Sequence, residues 1–351
     1  MNAFLNVISK SIVTLVLESE ILFHFNTQNI QFNMSTFFKH IFILAIASLT
    51  LFSSCKTTKD AASQSVQASK DKMASAKLEN ALLWKIDGNG LQQPSYLYGT
   101  IHIIDSEDYF LPDGTLSAID NSKKMVFEID MAEMNDMGSV MGIMNQAFMK
   151  DGKTLSDLLE DDEYKIVEDH FKKIGMPLMM LERMKPMFLT VFASGDMDPN
   201  GLQSGAMKSY EMEFASIAET KALPTAGLET IEFQMSVFDS IPYEAQADML
   251  LESIKSGDAG NDEFKAMIQM YKDQRITDMV SMFESEEEGI AEYEDVLLNK
   301  RNAAWISGMN TMMKELPTFF AVGAGHLAGE KGVINLLKKE GYTLTPISHK
   351  K

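Results

Sequence analysis

Strand-like segments stand at both ends of this chain, with a long helical stretch between them. Leu82–Asp87 and Ser95–Ile104 are rich in β-branched and aromatic residues, and Gly88-Asn89-Gly90 supplies a turn. Lys124–Asp130 reads as a third strand. Residues 133–315 are mostly helical in pattern, broken at Pro177, Pro186, Pro199 and Gly201, with a short strand-like piece over Ala222–Leu228. Within them Ile290, Tyr293, Leu297, Ala304 and Met309 recur at helical spacing. The chain closes with a strand at Thr318–Val322, a helix over Glu330–Glu340 and a strand at Tyr342–Ile347. That closing order is a βαβ unit, which requires a parallel component. The expectation is one α/β domain over residues 80–348. Its mixed, partly parallel β-sheet comes from the N- and C-terminal thirds, with a large helical insertion in the middle.

Charge narrows the partners. The 351 residues carry 31 Lys and Arg against 50 Asp and Glu, a formal charge of −19. Nucleic-acid binding needs a concentrated basic face, so a phosphate backbone is not an expected partner. Beyond the N-terminal region no stretch approaches the roughly 20 apolar residues of a spanning helix.

The one cysteine, Cys55, rules out an internal disulfide, a Cys-rich zinc site and a Cys-x-x-Cys redox pair. It follows Lys39-His40, the apolar run Ile41–Leu51 and then Phe52-Ser53-Ser54. A basic start, an apolar stretch and small residues before a cut make a secretory signal. Ending in cysteine, the segment resembles a bacterial lipoprotein signal, whose cysteine is acylated and becomes the mature N-terminus. The signal is complete from Met34, so residues 34–54 are read as the signal peptide and 1–33 as lying upstream of the true start. Residues 55–79 then form the lipidated cysteine and a flexible tether, with only Val66, Met73 and Leu78 as larger apolar residues. The expected location is a bacterial cell envelope, on a membrane, with Cys55 as the lipid site.

Downstream of Cys55 there are four histidines, and two share a local frame: Gly99-Thr100-Ile101-His102 and Gly323-Ala324-Gly325-His326. With 21 glycines in the chain, two such matches among four is a chance of roughly 2%. Each frame follows an apolar strand, so each imidazole emerges near a strand's carboxyl end, where α/β proteins place their sites. Glu128 is the obvious third member. A carboxylate within the apolar strand Val126-Phe127-Glu128-Ile129 is costly unless it meets a cation, a metal or strong donors. Two His and one carboxylate leave positions open for water and substrate, as catalytic metal sites require.

These residues also carry a resemblance. Gly99–His102, Phe127–Asp130, Gly227-Leu228-Glu229-Thr230, Arg301-Asn302 and Val322–Gly329 stand in the order of the TraB/PrgY/GumN family, over roughly residues 80–348. Tiki-type metalloproteases are its animal relatives. The resemblance implies metal-dependent hydrolysis of peptides with Mn²⁺ or Co²⁺ as the ion; Zn²⁺ is a further candidate. It places the metal and the chemistry on His102, Glu128 and His326. Thr100, Glu229, Arg301 and Asn302 fall at supporting or substrate-facing positions, and a guanidinium at 301 would suit an oxyanion or a carboxylate.

Competing motifs fail. Gly323–Gly329 mimics a dinucleotide loop, but about twenty residues follow it, too few for the rest of a nucleotide domain. No H-E-x-x-H, G-x-S-x-G or Walker A sequence occurs. Two functions remain: an envelope-anchored metallohydrolase acting on a peptide or small molecule, and a non-catalytic lipoprotein of the same fold that binds such a ligand.

Overall fold

A computed structural model describes residues 78–131, 145–193, 204–256, 258–284 and 293–347, together with Gly142. The signal segment 34–54, Cys55 and nearly all of the tether lie outside the described residues, as do residues 1–33 and Pro199. Contacts divide the chain into Met1–Lys70 and Asp71–Lys351, and everything described belongs to the second.

In chain order the elements are β1 (Leu83–Gly88), β2 (Ser95–Thr100), β3 (Ile104–Asp105), α1 (Thr115–Asp120), β4 (Lys124–Ile129), α2 (Asp161–Lys173) and α3 (Pro186–Ala193). There follow β5 (Met207–Lys208), α4 (Tyr210–Thr220), β6 (Thr225–Glu229), α5 (Ile231–Phe238), α6 (Tyr243–Ser256), α7 (Asp258–Lys272) and α8 (Ile276–Glu284). Last come α9 (Lys300–Glu315), β7 (Thr318–Gly323), α10 (Val333–Lys339) and β8 (Tyr342–Pro346).

Six strands form one sheet in the order β6-β4-β7-β2-β1-β8. The first four run parallel to one another, and β1 pairs antiparallel with β2 and with β8. The α/β class and the mixed sheet are therefore as expected. β7 and β8 do run the same way, but β2 and β1 lie between them, so the closing unit crosses two strands. The strand expected over Ser95–Ile104 ends at Thr100, and Ile104–Asp105 pairs separately with β5.

β2 and β7 are buried along almost their whole length, as a parallel sheet covered on both faces requires. A second apolar cluster, including Val167, Phe171, Leu189 and Leu250, holds α2, α3 and α6 together within the helical insertion. The start of α2 is capped by Glu160 and Glu163. Its first turn is acidic and its last turn basic, which complements the helix dipole.

Of the two residues in the apolar spacing read within α9, Met309 lies on its buried face and Ala304 does not. Ala304 is exposed, and the buried face is Arg301, Asn302, Trp305, Ile306, Met309 and Met313. A π-helical turn at Asp295–Asn299 precedes this helix. No helix among the described residues is long and apolar enough to cross a membrane.

Candidate active site at the carboxyl edge of the parallel strands

The four parallel strands deliver the expected residues to one edge of the sheet. Thr100 at the end of β2 pairs with Gly323 at the end of β7, so the two G-x-x-H frames leave adjacent strands side by side. Glu128 stands near the end of β4, and Glu229 ends β6 opposite Ile129. A parallel register thus explains why these motifs, scattered over more than two hundred positions, act together.

The glycines of the frames permit the close approach. A Cβ on Gly99 would lie 2.9 Å from Leu327 Cδ2 and 3.2 Å from Ala324 Cβ, so the first frame packs directly on the second. A Cβ on Gly323 would lie 3.2 Å from Glu128 Oε1. That space lets the Gly323 N–H donate to Glu128 Oε1 at 2.8 Å.

Arg301, from the first turn of α9, is the hub. Its Nη2 donates to Glu128 Oε2 at 2.6 Å and to Glu229, and its Nε donates to Glu229 Oε1 at 3.0 Å. Nη1 donates to the Leu297 carbonyl at 2.9 Å and faces His326 Nε2 at 3.3 Å. The Leu297 carbonyl belongs to the π-helical turn, a distortion that frequently marks functional sites. Side-chain exposure is 10% for Arg301, 12% for Glu128 and 4% for Glu229. Gln234 on α5 donates to both carboxylates, at 3.2 Å to Glu128 and 3.1 Å to Glu229. Trp305, one turn after Arg301, donates from its indole to Glu229 at 3.1 Å and packs against His326 at a ring separation of 4.5 Å.

His326 sits on a 3₁₀ turn directly after β7. Asn302 Nδ2 donates to the Lys331 carbonyl at 3.1 Å, which turns Asn302 Oδ1 towards His326 Nδ1 at 2.6 Å. His326 therefore carries its proton on Nδ1 and presents the Nε2 lone pair to Arg301 and Glu128. Burial pushes this imidazole down to about 4, with Glu128 opposing and Arg301 assisting. Glu128 goes the other way for a buried acid. Burial opposes its charge, but His326, Arg301 and His102 together outweigh burial and hold the carboxyl near 2.

His102 follows β2 and differs in kind. Its side chain is 75% exposed, and its Nδ1 donates to Glu211 Oε1 at 3.2 Å. The same oxygen accepts from Thr100 Oγ1 at 2.8 Å, and Ser209 donates to Oε2 at 3.0 Å. The hydrogen bond to Glu211 raises His102 to about 9, although its exposure to solvent screens that pairing.

Thr100, His102, Glu128, Arg301 and His326 all line one cavity of about 430 Å³, and Gln234 joins them. Glu229 and Asn302 stand behind it, gripping Arg301 and His326. Sequence reasoning missed Gln234, Trp305 and Glu211. Trp305 shares a helical face with Arg301 at i+4 spacing, a readable signal. Nothing local marks Glu211, which lies 109 residues from His102.

The donor set suits a divalent cation in chemistry and charge. His326 offers a neutral imidazole lone pair 3.7 Å from Glu128 Oε1, and the two buried carboxylates outnumber the single guanidinium. Spacing is a separate matter. Among the described residues no three His, Cys, Asp or Glu side chains close into a group that could hold a metal. The cation between His326 and Glu128 in this arrangement is the Arg301 guanidinium.

The chain is 22% identical to human "Metalloprotease TIKI1" over 315 residues, covering 75% of this chain and 61% of the relative. It is 22% identical to zebrafish (Danio rerio) "Metalloprotease TIKI2", covering 78% of this chain and 62% of that protein. The chain thus spans about three fifths of the length of these relatives. No solved structure matches it. The family model for TraB/PrgY/gumN matches residues 82–346, the stretch that contains both G-x-x-H frames, Glu128, Glu229 and Arg301, and the chain belongs to the TraB/PrgY/gumN family.

Proposed function

We propose that this chain is an envelope-anchored, metal-dependent hydrolase of peptides. The observation that carries the reading is the convergence of both G-x-x-H histidines, Glu128 and Arg301 on one cavity at the carboxyl edge of the parallel strands. The metalloprotease relatives support the reaction class. A divalent ion (Mn²⁺, Co²⁺ or Zn²⁺) would be held by His102, Glu128 and His326. When bound, such an ion polarises a carbonyl and makes its water acidic near neutral pH.

The chain's own residues do the rest. Asn302 fixes His326 with its lone pair facing the cavity. Arg301 and the Gly323 N–H keep Glu128 ionised across the physiological range. Glu211 holds His102 through Nδ1, so that Nε2 is the nitrogen left outside that hydrogen bond. Glu229, Gln234 and Trp305 hold Arg301 in place, so that its charge stands preorganised beside any oxyanion formed there.

One observation favours a second reading, a non-catalytic peptide-binding lipoprotein. Arg301 already supplies a cation between His326 and Glu128. Calorimetric titration of Mn²⁺, Co²⁺ and Zn²⁺, paired with turnover of a peptide library, separates the two. Wild type should bind one ion and cleave. His102→Ala, Glu128→Gln and His326→Ala should each lose metal affinity by roughly 10–100-fold or more, and lose turnover with it. Equal metal binding by wild type and His102→Ala would end the metal assignment. A wild type that binds peptides and cleaves none would establish the second reading.

Anchoring is proposed through acylated Cys55, with the residues after it as tether, on the periplasmic or cell-surface side of a bacterial membrane. Cys55→Ala should then move the protein from the membrane fraction to the soluble fraction with its unfolding midpoint unchanged. A Cys55→Ala protein that still sediments with membranes would sink this assignment.

A further inference from the structure

The cavity lining is of two kinds. Glu128, Arg301 and His326 are charged or polar; Ile101, Phe238, Met267, Met279, Leu297 and Leu298 are apolar. The apolar six come from the loop after β2, from α5, α7 and α8, and from the π-helical turn. Packed interiors leave few voids larger than a water molecule, so apolar side chains on the wall of a cavity of about 430 Å³ are not packed like core on that side. Apolar surface held open to water costs about 25 cal/mol per Å², recovered when an apolar group fills the space.

We propose that the apolar part of this lining is a subsite for one large apolar side chain, aliphatic or aromatic, of a peptide whose backbone meets Glu128, Arg301 and His326. The inference rests on the hydrolase reading only for the statement that this side chain flanks the bond to be cut. Two features set the class. Met267 and Met279 are unbranched and polarisable, so the wall adapts to rings and to branched chains alike. An acidic side chain finds no free cation among the described residues of the lining. Arg301 is committed to Glu128 and Glu229, His102 is paired with Glu211, and Glu294 adds a further carboxylate. Selectivity between a large apolar side chain and a methyl should reach roughly tenfold or more, the usual return from added methylenes in an apolar pocket.

The test uses the full chain labelled at its methionine methyl groups. The Met267 and Met279 resonances are assigned by Met267→Leu and Met279→Leu. N-acetyl-phenylalanine amide and N-acetyl-leucine amide should shift both resonances saturably, and N-acetyl-alanine amide should do so at least roughly tenfold more weakly. N-acetyl-glutamate amide should shift neither. Met267→Leu should keep the affinity of the phenylalanine probe as read at Met279, and Met267→Glu should abolish it. Equal response to the alanine and phenylalanine probes, or no response to any, overturns the proposal. A parallel assay compares kcat/KM across peptides differing at one position. Methyl shifts without cleavage keep the subsite and remove the hydrolase. Cleavage indifferent to side-chain size keeps the hydrolase and removes the subsite.

Discussion

Arg301→Ala should lower the stability of the folded chain by about 3–5 kcal/mol, because it strands two buried carboxylates at once. Glu128 and Glu229 are 12% and 4% exposed, and both receive hydrogen bonds from the same guanidinium. Burial works against the charge on Arg301, but its hydrogen bonds to Glu229 and Glu128 and their negative charges more than offset it and raise its pKa. Lysine cannot replace it. Nε, Nη1 and Nη2 point to three different sets of acceptors, and a single ammonium reaches one. Arg301→Lys should therefore recover less than half of the loss. Removing the charges together is a different matter. A triple variant with Arg301→Met, Glu128→Gln and Glu229→Gln leaves no unpaired buried charge and should regain most of the stability, with the chemistry gone. At about 2–4 °C per kcal/mol for a domain of this size, the alanine variant should melt roughly 10 °C lower. Thermal and urea unfolding of the four proteins decide it. An alanine variant within about 2 °C of wild type would mean that both carboxylates are already solvated in the fold.

The residues that were legible in the sequence are those whose presence breaks a local rule. Glu128 is a carboxylate in an apolar strand, and the two histidines repeat one frame with a glycine three positions earlier. The structure gives the reason for that glycine, since a side chain at Gly99 would collide with Ala324 of the other frame and with Leu327 just after it. What stayed hidden depends on distance or on polarity. Glu211 reaches His102 across 109 positions and has no local signature. The buried face of α9 begins with Arg301 and Asn302, so a search for apolar spacing found Met309 on that face but took in Ala304, which is exposed. Buried polar residues satisfied by a network look like surface residues until their partners are known. The same limit applies to topology. β7, α10 and β8 are consecutive, yet β8 lies at the far edge of the sheet because the β1–β2 hairpin occupies the positions between.

Acid should destabilise the chain in two steps, and His326 carries the first. In the fold, burial lowers this imidazole from 6.5 to about 4, so it stays neutral where the unfolded chain takes up a proton. Between those values the unfolded state binds more protons, and stability rises with pH across the window. The contribution is complete above pH 6.5 and lost as pH falls towards 4. Its size is roughly 3 kcal/mol, set by the displacement of one titration. Glu128 gives the second step. Its carboxyl is held near 2 against an ordinary 4.5, so its contribution is complete above 4.5 and lost as pH falls through 2. His102 has the opposite sign, raised from 6.5 to about 9, but with three quarters of its side chain in solvent it carries little weight. His326→Gln isolates the first step, because glutamine keeps a polar group beside Asn302 and cannot titrate. Urea unfolding of both proteins in chelator at pH 7, 6, 5 and 4 reads the difference. Wild type should lose roughly 3 kcal/mol relative to the glutamine variant over that range, nearly all of it below pH 6.5. Parallel curves would mean that His326 takes up its proton freely inside the fold, and the neutral Nε2 lone pair facing Glu128 would have to be given up.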